Sequence, residues 1–348
     1  MDTQQMEMET RRPLRCSVVI LNWNGAEMLR RYLPSVVSTV TGSDDEVVVA
    51  DNGSTDDSVA FVRSAFPSVR VITLDKNYGF AEGYNRALSE IHSTYTVLLN
   101  SDVEVTENWL LPLLGFMDQH SEVAACQPKI RSWLHREKFE HAGAAGGYID
   151  RLGYPYCRGR VLQSVETDNG QYDTIADIFW ASGACMCVRT DVYKINGGLD
   201  ADFFAHMEEI DLCWRLQCRG YRIACVPQSV VYHLGGGALN YESPRKTYLN
   251  FRNNLLMLYK NLPDNKLHGV LRWRWMLDYL AALHLLLTGK LRNAIAVYQA
   301  RRDYHRMVKT GTFRQKREEN KRRTLVPYPE TISSRSILYD RYIHRTNS

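Results

Sequence analysis

The chain has 348 residues, 45% of them hydrophobic and 24% charged, an ordinary balance for a soluble globular protein and enough for one large domain with an extension. It carries no internal repeat, no low-complexity tract and no uninterrupted apolar run near the roughly 20 residues that cross a bilayer. The net charge of +4 hides an asymmetry: residues 241–348 hold 22 Lys+Arg against 8 Asp+Glu, whereas residues 1–240 hold 21 against 31, so the basic end calls for an anionic partner.

Residues 1–12 are polar, which predicts no signal peptide and a cytoplasmic protein. Residues 16–21 read as a buried strand ending at Asn22-Trp23-Asn24-Gly25, followed by a helical pattern to about residue 40. A second strand, 46–50, runs into Asp51-Asn52-Gly53-Ser54-Thr55-Asp56-Asp57, a segment of turn and helix-capping residues. A third strand, 69–74, leads to Asn77-Tyr78-Gly79 and a helix to about residue 91. A fourth, 96–99, delivers Asn100-Ser101-Asp102 to its C-terminal end. Short apolar strands alternating with helices imply βαβ units and a mostly parallel sheet, whose carboxyl edge is where ligands bind.

From residue 123 the pattern turns irregular, and the polar segment from Gly143 to Asp173 reads as a mobile loop. Regularity returns at Trp180-Ala181-Ser182-Gly183-Ala184, in an acidic helix from Glu208, and in two apolar runs, 221–226 and 230–233. The eight cysteines form no C-x-x-C pair and sit among apolar neighbours, as reduced core residues do. Beyond residue 237 the chain reads as helical and basic. The apolar stretch 273–287 is broken by Asp278 and His284, and suits either packing against the body or another subunit, or lying in a membrane interface. Residues 314–323 read as a solvated charged helix or tail.

Glu208, Glu209 and Asp211 crowd three carboxylates into four positions. They are either the acidic first turn of a helix, favoured by its dipole, or a base held beside a reacting hydroxyl.

In order, Leu21-Asn22-Trp23-Asn24-Gly25, Asp51-Asn52-Gly53-Ser54, Asn77-Tyr78-Gly79-Phe80, Asn100-Ser101-Asp102, Glu208-Glu209-Ile210-Asp211 and Val231-Tyr232-His233 resemble the motifs of glycosyltransferase family 2, in particular bacterial rhamnosyltransferases. The resemblance spans roughly residues 14–240 and implies a GT-A fold there, with 241–348 as a basic α-helical extension. It implies that Asp51 contacts the base of a nucleotide-diphosphate sugar, with Asn22, Asn24 and Asn77 as base, ribose or loop-shaping contacts. Asn100-Ser101-Asp102 stands where the family has Asp-x-Asp, so Asp102, with Asn100 beside it and His233, would hold a divalent cation, Mg²⁺ or Mn²⁺.

The resemblance makes Glu209 the catalytic base, with Glu208 and Asp211 as alternatives; Glu208 could instead bind the acceptor, and Asp211 is expected rather to cap or pair within the helix, with Arg215. Trp180, Ser182 and Gly183 would line the acceptor side, and Arg252 would receive an acceptor diphosphate. The implied activity is inverting transfer to a glycan or polyprenyl-diphosphate-linked acceptor in bacterial surface polysaccharide synthesis, in the cytoplasm or peripherally on the inner face of the membrane. Uridine, thymidine and guanosine diphosphate sugars all fit an aspartate at position 51, and the likeness to rhamnosyltransferases suggests thymidine diphosphate rhamnose among them. The alternative is a catalytically degenerate sugar-nucleotide or glycan-binding protein. A nucleotidyltransferase would show a glycine-rich basic loop after the first strand, and none is present; nor does a nucleic-acid-binding motif accompany the basic end.

Overall fold

A computed structural model describes residues 14–162, 164–235 and 243–342. Its elements, in chain order, are β1 (Cys16–Asn22), α1 (Ala26–Thr39), β2 (Asp45–Asp51), α2 (Ser58–Ala65), β3 (Arg70–Thr73), α3 (Gly79–Ser89), β4 (Tyr95–Asn100), β5 (Val103–Val105), α4 (Leu110–Gln119) and β6 (Val123–Ser132). Then come β7 (Gly147–Asp150), β8 (Pro155–Cys157), β9 (Arg160–Val161), β10 (Ser164–Val165), β11 (Ala176–Asp177), β12 (Cys185–Arg189), α5 (Thr190–Ile195), α6 (Glu208–Cys218) and β13 (Arg222–His233). The C-terminal part holds α7 (Pro244–Asn261), α8 (Asp264–Leu287), α9 (Leu291–Lys309), α10 (Thr312–Arg323), β14 (Ile332–Ser333) and α11 (Ile337–Tyr342).

Eight strands of the central sheet lie in the order β11-β13-β6-β12-β4-β1-β2-β3, and β5 pairs with β13 as the ninth. The β3-β2-β1-β4 half is parallel, as the alternation of strand and helix requires. Val19, Val48 and Leu98 face one core, while Val18, Ile20, Val49 and Leu99 face the other. Burial on both faces explains why these strands read as continuous apolar runs rather than alternating ones. β12 enters antiparallel between β4 and β6, so the sheet is mixed. The two apolar runs near residues 221 and 233 are one strand, β13, whose register shifts between Val226 and Val230; Pro227, which has no amide N–H, falls in that shift. All eight cysteines are buried and free.

The expected mobile loop between Gly143 and Asp173 is instead mostly a second sheet, β10-β9-β8-β7-β14. Its strands have two to four residues, too short for a period to show. Its last strand, β14, pairs in parallel with β7 from the far end of the chain, Ile332 against Ile149. Asp150 fixes the β7–β8 turn by accepting from the amides of Leu152 and Tyr154, both at 2.9 Å, and it also accepts from the amide of Ile337 at 3.1 Å.

The C-terminal helices are stitched onto the body by buried charge. Lys260 of α7 reaches Asp200 at 2.6 Å and Asp211 at 2.7 Å. The expectation of a solvated helix over 314–323 is corrected in part: α10 buries Phe313 and Arg317, and its Lys316 pairs with Asp202 at 2.7 Å. In α8, Asp278 accepts from Arg274 at 3.2 Å and from Arg301 of α9 at 2.6 Å, all three being buried. No described helix is long and apolar enough to cross a membrane.

Asp278→Ala leaves two guanidinium groups buried without their counter-charge. Chemical denaturation should show a loss of about 3 kcal/mol.

Candidate active site

Parallel strands in register bring their C-terminal residues to one edge: Asn22 lies opposite Asp51, and Leu21 opposite Asn100. β12 is antiparallel to β4, so its leading loop arrives at the same edge, with Cys185 opposite Leu99 and the Asn100 amide donating to Ala184 O at 3.0 Å. β13 ends there too, with His233 opposite Val103 and Ser132.

At the nucleotide side, buried Asp51 accepts from Asn22 Nδ2 at 3.1 Å and from the Ser54 amide at 3.0 Å. The Asn22 amide oxygen is buried with no hydrogen-bond partner. Asn24 Oδ1 accepts from the Thr55 amide at 2.8 Å, tying the first strand end to the second. Asn77 Oδ1 accepts from the Gly79 amide at 2.8 Å and from Asn52 Nδ2 at 3.2 Å. Asn24 and Asn77 thus shape loops through their side-chain oxygens. Buried Asn52, which sequence reading did not single out, also donates to Gly79 O at 2.9 Å and accepts from the Tyr78 amide at 3.0 Å.

At the diphosphate side, His233 Nε2 lies 3.1 Å from Asp102 Oδ1 and 3.5 Å from Asn100 Nδ2. Its other nitrogen, Nδ1, makes an ion-pair contact with Glu140 Oε2 at 3.3 Å. Burial opposes a charge on this imidazole, but Glu140 and Asp102 outweigh it and raise the pKa to about 10. Burial also disfavours the Asp102 carboxylate, and the His233 charge overrides it, leaving Asp102 below its usual range. Glu140 was missed in the sequence, since an isolated glutamate before a glycine-rich segment carries no local signal.

These residues fit a divalent cation in chemistry. A carboxylate oxygen and an imidazole nitrogen converge, a second carboxylate orients the far side of the ring, and a cation would take the place of the proton that Nε2 carries in its absence. Among the described residues no group of three or more His, Cys, Asp or Glu side chains could hold an ion by itself, so phosphate oxygens and water would complete the shell.

The acidic cluster separates by partner. Asp211 is fully buried and saturated by Arg215 at 2.9 Å, Lys260 at 2.7 Å and Asn261 at 2.8 Å. Its candidacy as a base is therefore corrected: it is a structural anion. Glu208 is buried and Glu209 half-buried, and each has an Oε2 with no hydrogen-bond partner. Burial lifts the Glu209 pKa to about 7, and lifts Glu208 further with Glu209 adding to the effect. Gly183 stands against Glu209: a Cβ at Gly183 would lie 3.2 Å from Phe80 Cζ and 3.9 Å from Glu209 Cβ.

Three other acceptor-side expectations are corrected. Trp180 is buried, donates from Nε1 to Tyr148 O at 3.0 Å and occupies the space a Cβ on Gly147 would need, so no sugar stacks on it. Ser182 is buried and donates to Ala142 O at 2.6 Å. Arg252 is spent on the carbonyls of Asp202 at 3.0 Å and Phe203 at 3.2 Å. In each case the side chain faces protein, which spacing along the chain could not show.

Arg252 and its neighbour hold the loop that precedes the glutamates. Phe204, His206 and Met207 all have positive φ, from 65° to 74°, at a cost of roughly 1–3 kcal/mol each. Asn253, fully buried on α7, directs Nδ2 at the carbonyls of Phe203 (2.9 Å), Ala205 (2.8 Å) and His206 (2.8 Å). From the other side Phe204 O accepts from the amides of Phe80 and Ala81 at 2.8 and 3.2 Å. Gly79, itself at φ 79°, admits the Phe204 ring, which a Cβ would meet at 2.5 Å. The sequence marks Asn253 only as part of a basic helix start.

A mixed sheet presenting Asp51, Asp102 and His233 at one edge, with a glutamate on the helix beyond, has the layout of the GT-A fold. The profile of Glycosyl transferase family 2 matches residues 17–170. The N-acetylglucosaminyl-diphospho-decaprenol L-rhamnosyltransferase of Mycobacterium tuberculosis is 26% identical over 292 residues, covering 80% of this chain and 94% of the relative. Among solved structures, S. aureus TarS in complex with UDP-GlcNAc aligns with a TM-score of 0.57 at 17% identity, covering 83% of this chain and 80% of that one. The mannosyltransferase PcManGT from Pyrobaculum calidifontis, in complex with GDP-Man and Mn²⁺, gives 0.50 at 15%, covering 90% and 86%. Over residues 17–170 the chain is thus similar to family 2 glycosyltransferases, a rhamnosyltransferase among them.

Asn253→Ala removes the clamp without touching a charged group. Turnover should fall roughly 10- to 100-fold by misplacing the glutamates, while nucleotide affinity measured by calorimetry stays within about twofold of wild type.

Proposed function

We propose that the protein is an inverting, divalent-cation-dependent glycosyltransferase. It moves a sugar from a nucleotide diphosphate to a glycan or polyprenyl-diphosphate-linked acceptor in bacterial surface polysaccharide synthesis, on the inner face of the cytoplasmic membrane. The observation that carries this reading is Glu209: a half-buried carboxylate with a free oxygen and a pKa lifted to about 7, at the edge where the strand ends meet. The M. tuberculosis relative, named for a diphospho-decaprenol acceptor and L-rhamnose, supports the acceptor class and a deoxyhexose donor.

Asp51 and Asn22 would receive the nucleotide base, since each Asp51 oxygen keeps a lone pair after its bond in the turn. Asp102 and His233, with Asn100 alongside, would hold the Mg²⁺ or Mn²⁺ ion, and Glu140 would keep the imidazole turned toward it. When bound, the ion supplies neutralisation of the charge that builds on the departing diphosphate. Glu209 accepts the proton of the acceptor hydroxyl as that oxygen bonds to the anomeric carbon. The bond to the diphosphate breaks on the opposite face, and its electron pair leaves with the nucleotide. Glu208, buried beside Glu209 with its pKa raised by burial and by that neighbour, is the second carboxylate at this place and a candidate for contact with the acceptor. A catalytically degenerate binding protein is not favoured, since nothing in that alternative calls for an unpaired glutamate poised near neutrality.

Nucleotide diphosphate release from a panel of sugar nucleotides, with Mn²⁺, Mg²⁺ or chelator, tests the assignment. Glu209→Gln should lower transfer by about 10²–10⁴-fold with donor binding retained. Asp102→Ala should abolish metal-dependent turnover. A Glu209→Gln variant as active as wild type would overturn the base.

The pH dependence has a definite sign. The base works ionised, so kcat/KM should climb through about pH 7 as Glu209 loses its proton. A profile flat from pH 5 to 8 at saturating metal would contradict it.

A further inference from the structure

Helix α8 is built inside out. Its buried positions include Arg274 and Asp278, whereas Trp273, Met276, Leu280, Leu283 and Leu287, spaced three and four apart on one stripe, are exposed. Trp273 and Trp275 are each 57% exposed and Leu287 is 77% exposed. The stripe continues across the turn into α9, where Leu291, Ile295 and Tyr298 are exposed at the same helical spacing. The ion pairs of Asp278 with Arg274 and Arg301 fix this orientation, because rotating α8 to hide its leucines would strand buried charge. A patch of this extent on a soluble surface marks an interaction site.

The charge around the patch selects its partner. Arg272, Arg292, Arg302, Arg306 and Lys309 are exposed on the same two helices. The acids of the stretch are few and engaged: Asp278 is buried, Asp303 is buried and pairs with Arg302 at 3.3 Å and Arg306 at 3.4 Å, and Asp264 pairs with Arg317 and Lys321. Between the helices a cleft of about 700 Å³ is lined by Tyr279, Tyr298, Arg302, Arg306 and Lys309. Aromatic and leucine side chains at the level of a cationic rim suit an anionic bilayer surface, with the phosphate headgroups on the rim and the apolar stripe among the acyl chains.

We propose that the α8–α9 hairpin docks the enzyme onto an anionic phospholipid surface and turns the catalytic edge toward it. Asn293 Nδ2, near the start of α9, donates to Thr247 Oγ1 at 2.8 Å. Arg245, two residues before Thr247 on α7, lies 5.1 Å over the Phe204 ring in the loop beside the catalytic glutamates. The hairpin turn is therefore anchored at the end of α7 that borders the active site. The benefit to catalysis rests on the lipid-linked acceptor of the proposed function, whereas docking itself does not.

Flotation of the full chain with vesicles of phosphatidylcholine alone or mixed with phosphatidylglycerol tests this without donor or acceptor. Wild type should float with the anionic vesicles and lose binding as salt rises. The triple substitution Trp273→Ser, Leu283→Ser and Leu287→Ser should weaken binding roughly tenfold or more, and Arg302→Gln with Arg306→Gln should remove the preference for anionic lipid. Both variants should keep the wild-type melting curve and nucleotide release, separating docking from folding and chemistry. Wild type that ignores both vesicle types overturns the proposal. So does a wild-type dimer, seen by sedimentation, that the triple substitution converts to monomer without any change in vesicle binding.

Discussion

Residues 203–207 are held in a conformation that the backbone alone resists, and the proposed active site depends on that hold. Three non-glycine residues adopt positive φ within four positions, directly before the helix that begins with Glu208. The loop persists because Asn253 reaches three of its carbonyls from one side and α3 donates two amides to Phe204 O from the other. This links the C-terminal helices to the chemistry. α7 is at once the floor of the catalytic loop and the partner of α9 and α10, so the basic extension and the catalytic body share one set of buried contacts.

Charge is sorted across the molecule by whether burial is compensated. Asp211 and Asp200 are buried and paired, and Asp200 is held far below its usual range despite burial, through Lys260 and Lys316. Glu208 and Glu209, three and two positions before Asp211 on the same helix, are desolvated without a cation, and their pKa values move the other way. The contrast follows from partners: Asp211 meets Arg215 and Lys260, whereas each glutamate keeps a buried Oε2 with no hydrogen-bond partner. Unpaired desolvation destabilises the charged form, which is what a base working near neutrality needs.

The same principle, applied in reverse, explains α8. Its charges Arg274 and Asp278 are inside and compensated, and its tryptophans and several of its leucines are outside. Asp278 looks in the sequence like an interruption of an apolar stretch. In the fold it locks that stretch outward.

The sequence by itself determined what depends on near neighbours. Apolar runs ended by Asn22, Asp51 and Asn100 marked the parallel strands and their functional edge, because strand burial and turn chemistry are written within a few residues. The order of motifs pointed to the family, and the +14 balance beyond residue 240 set the basic extension apart. Only the tertiary structure decided which carboxylates are free, since pairing of Asp211 with Lys260 or of His233 with Glu140 joins residues distant in sequence. It also decided that Trp180 and Ser182 face the interior, that 143–173 largely folds as a second sheet closed by β14, and that α8 presents its apolar side to solvent. Burial and partner choice are long-range properties. A local pattern states which groups are available, and packing states which of them are left without a partner.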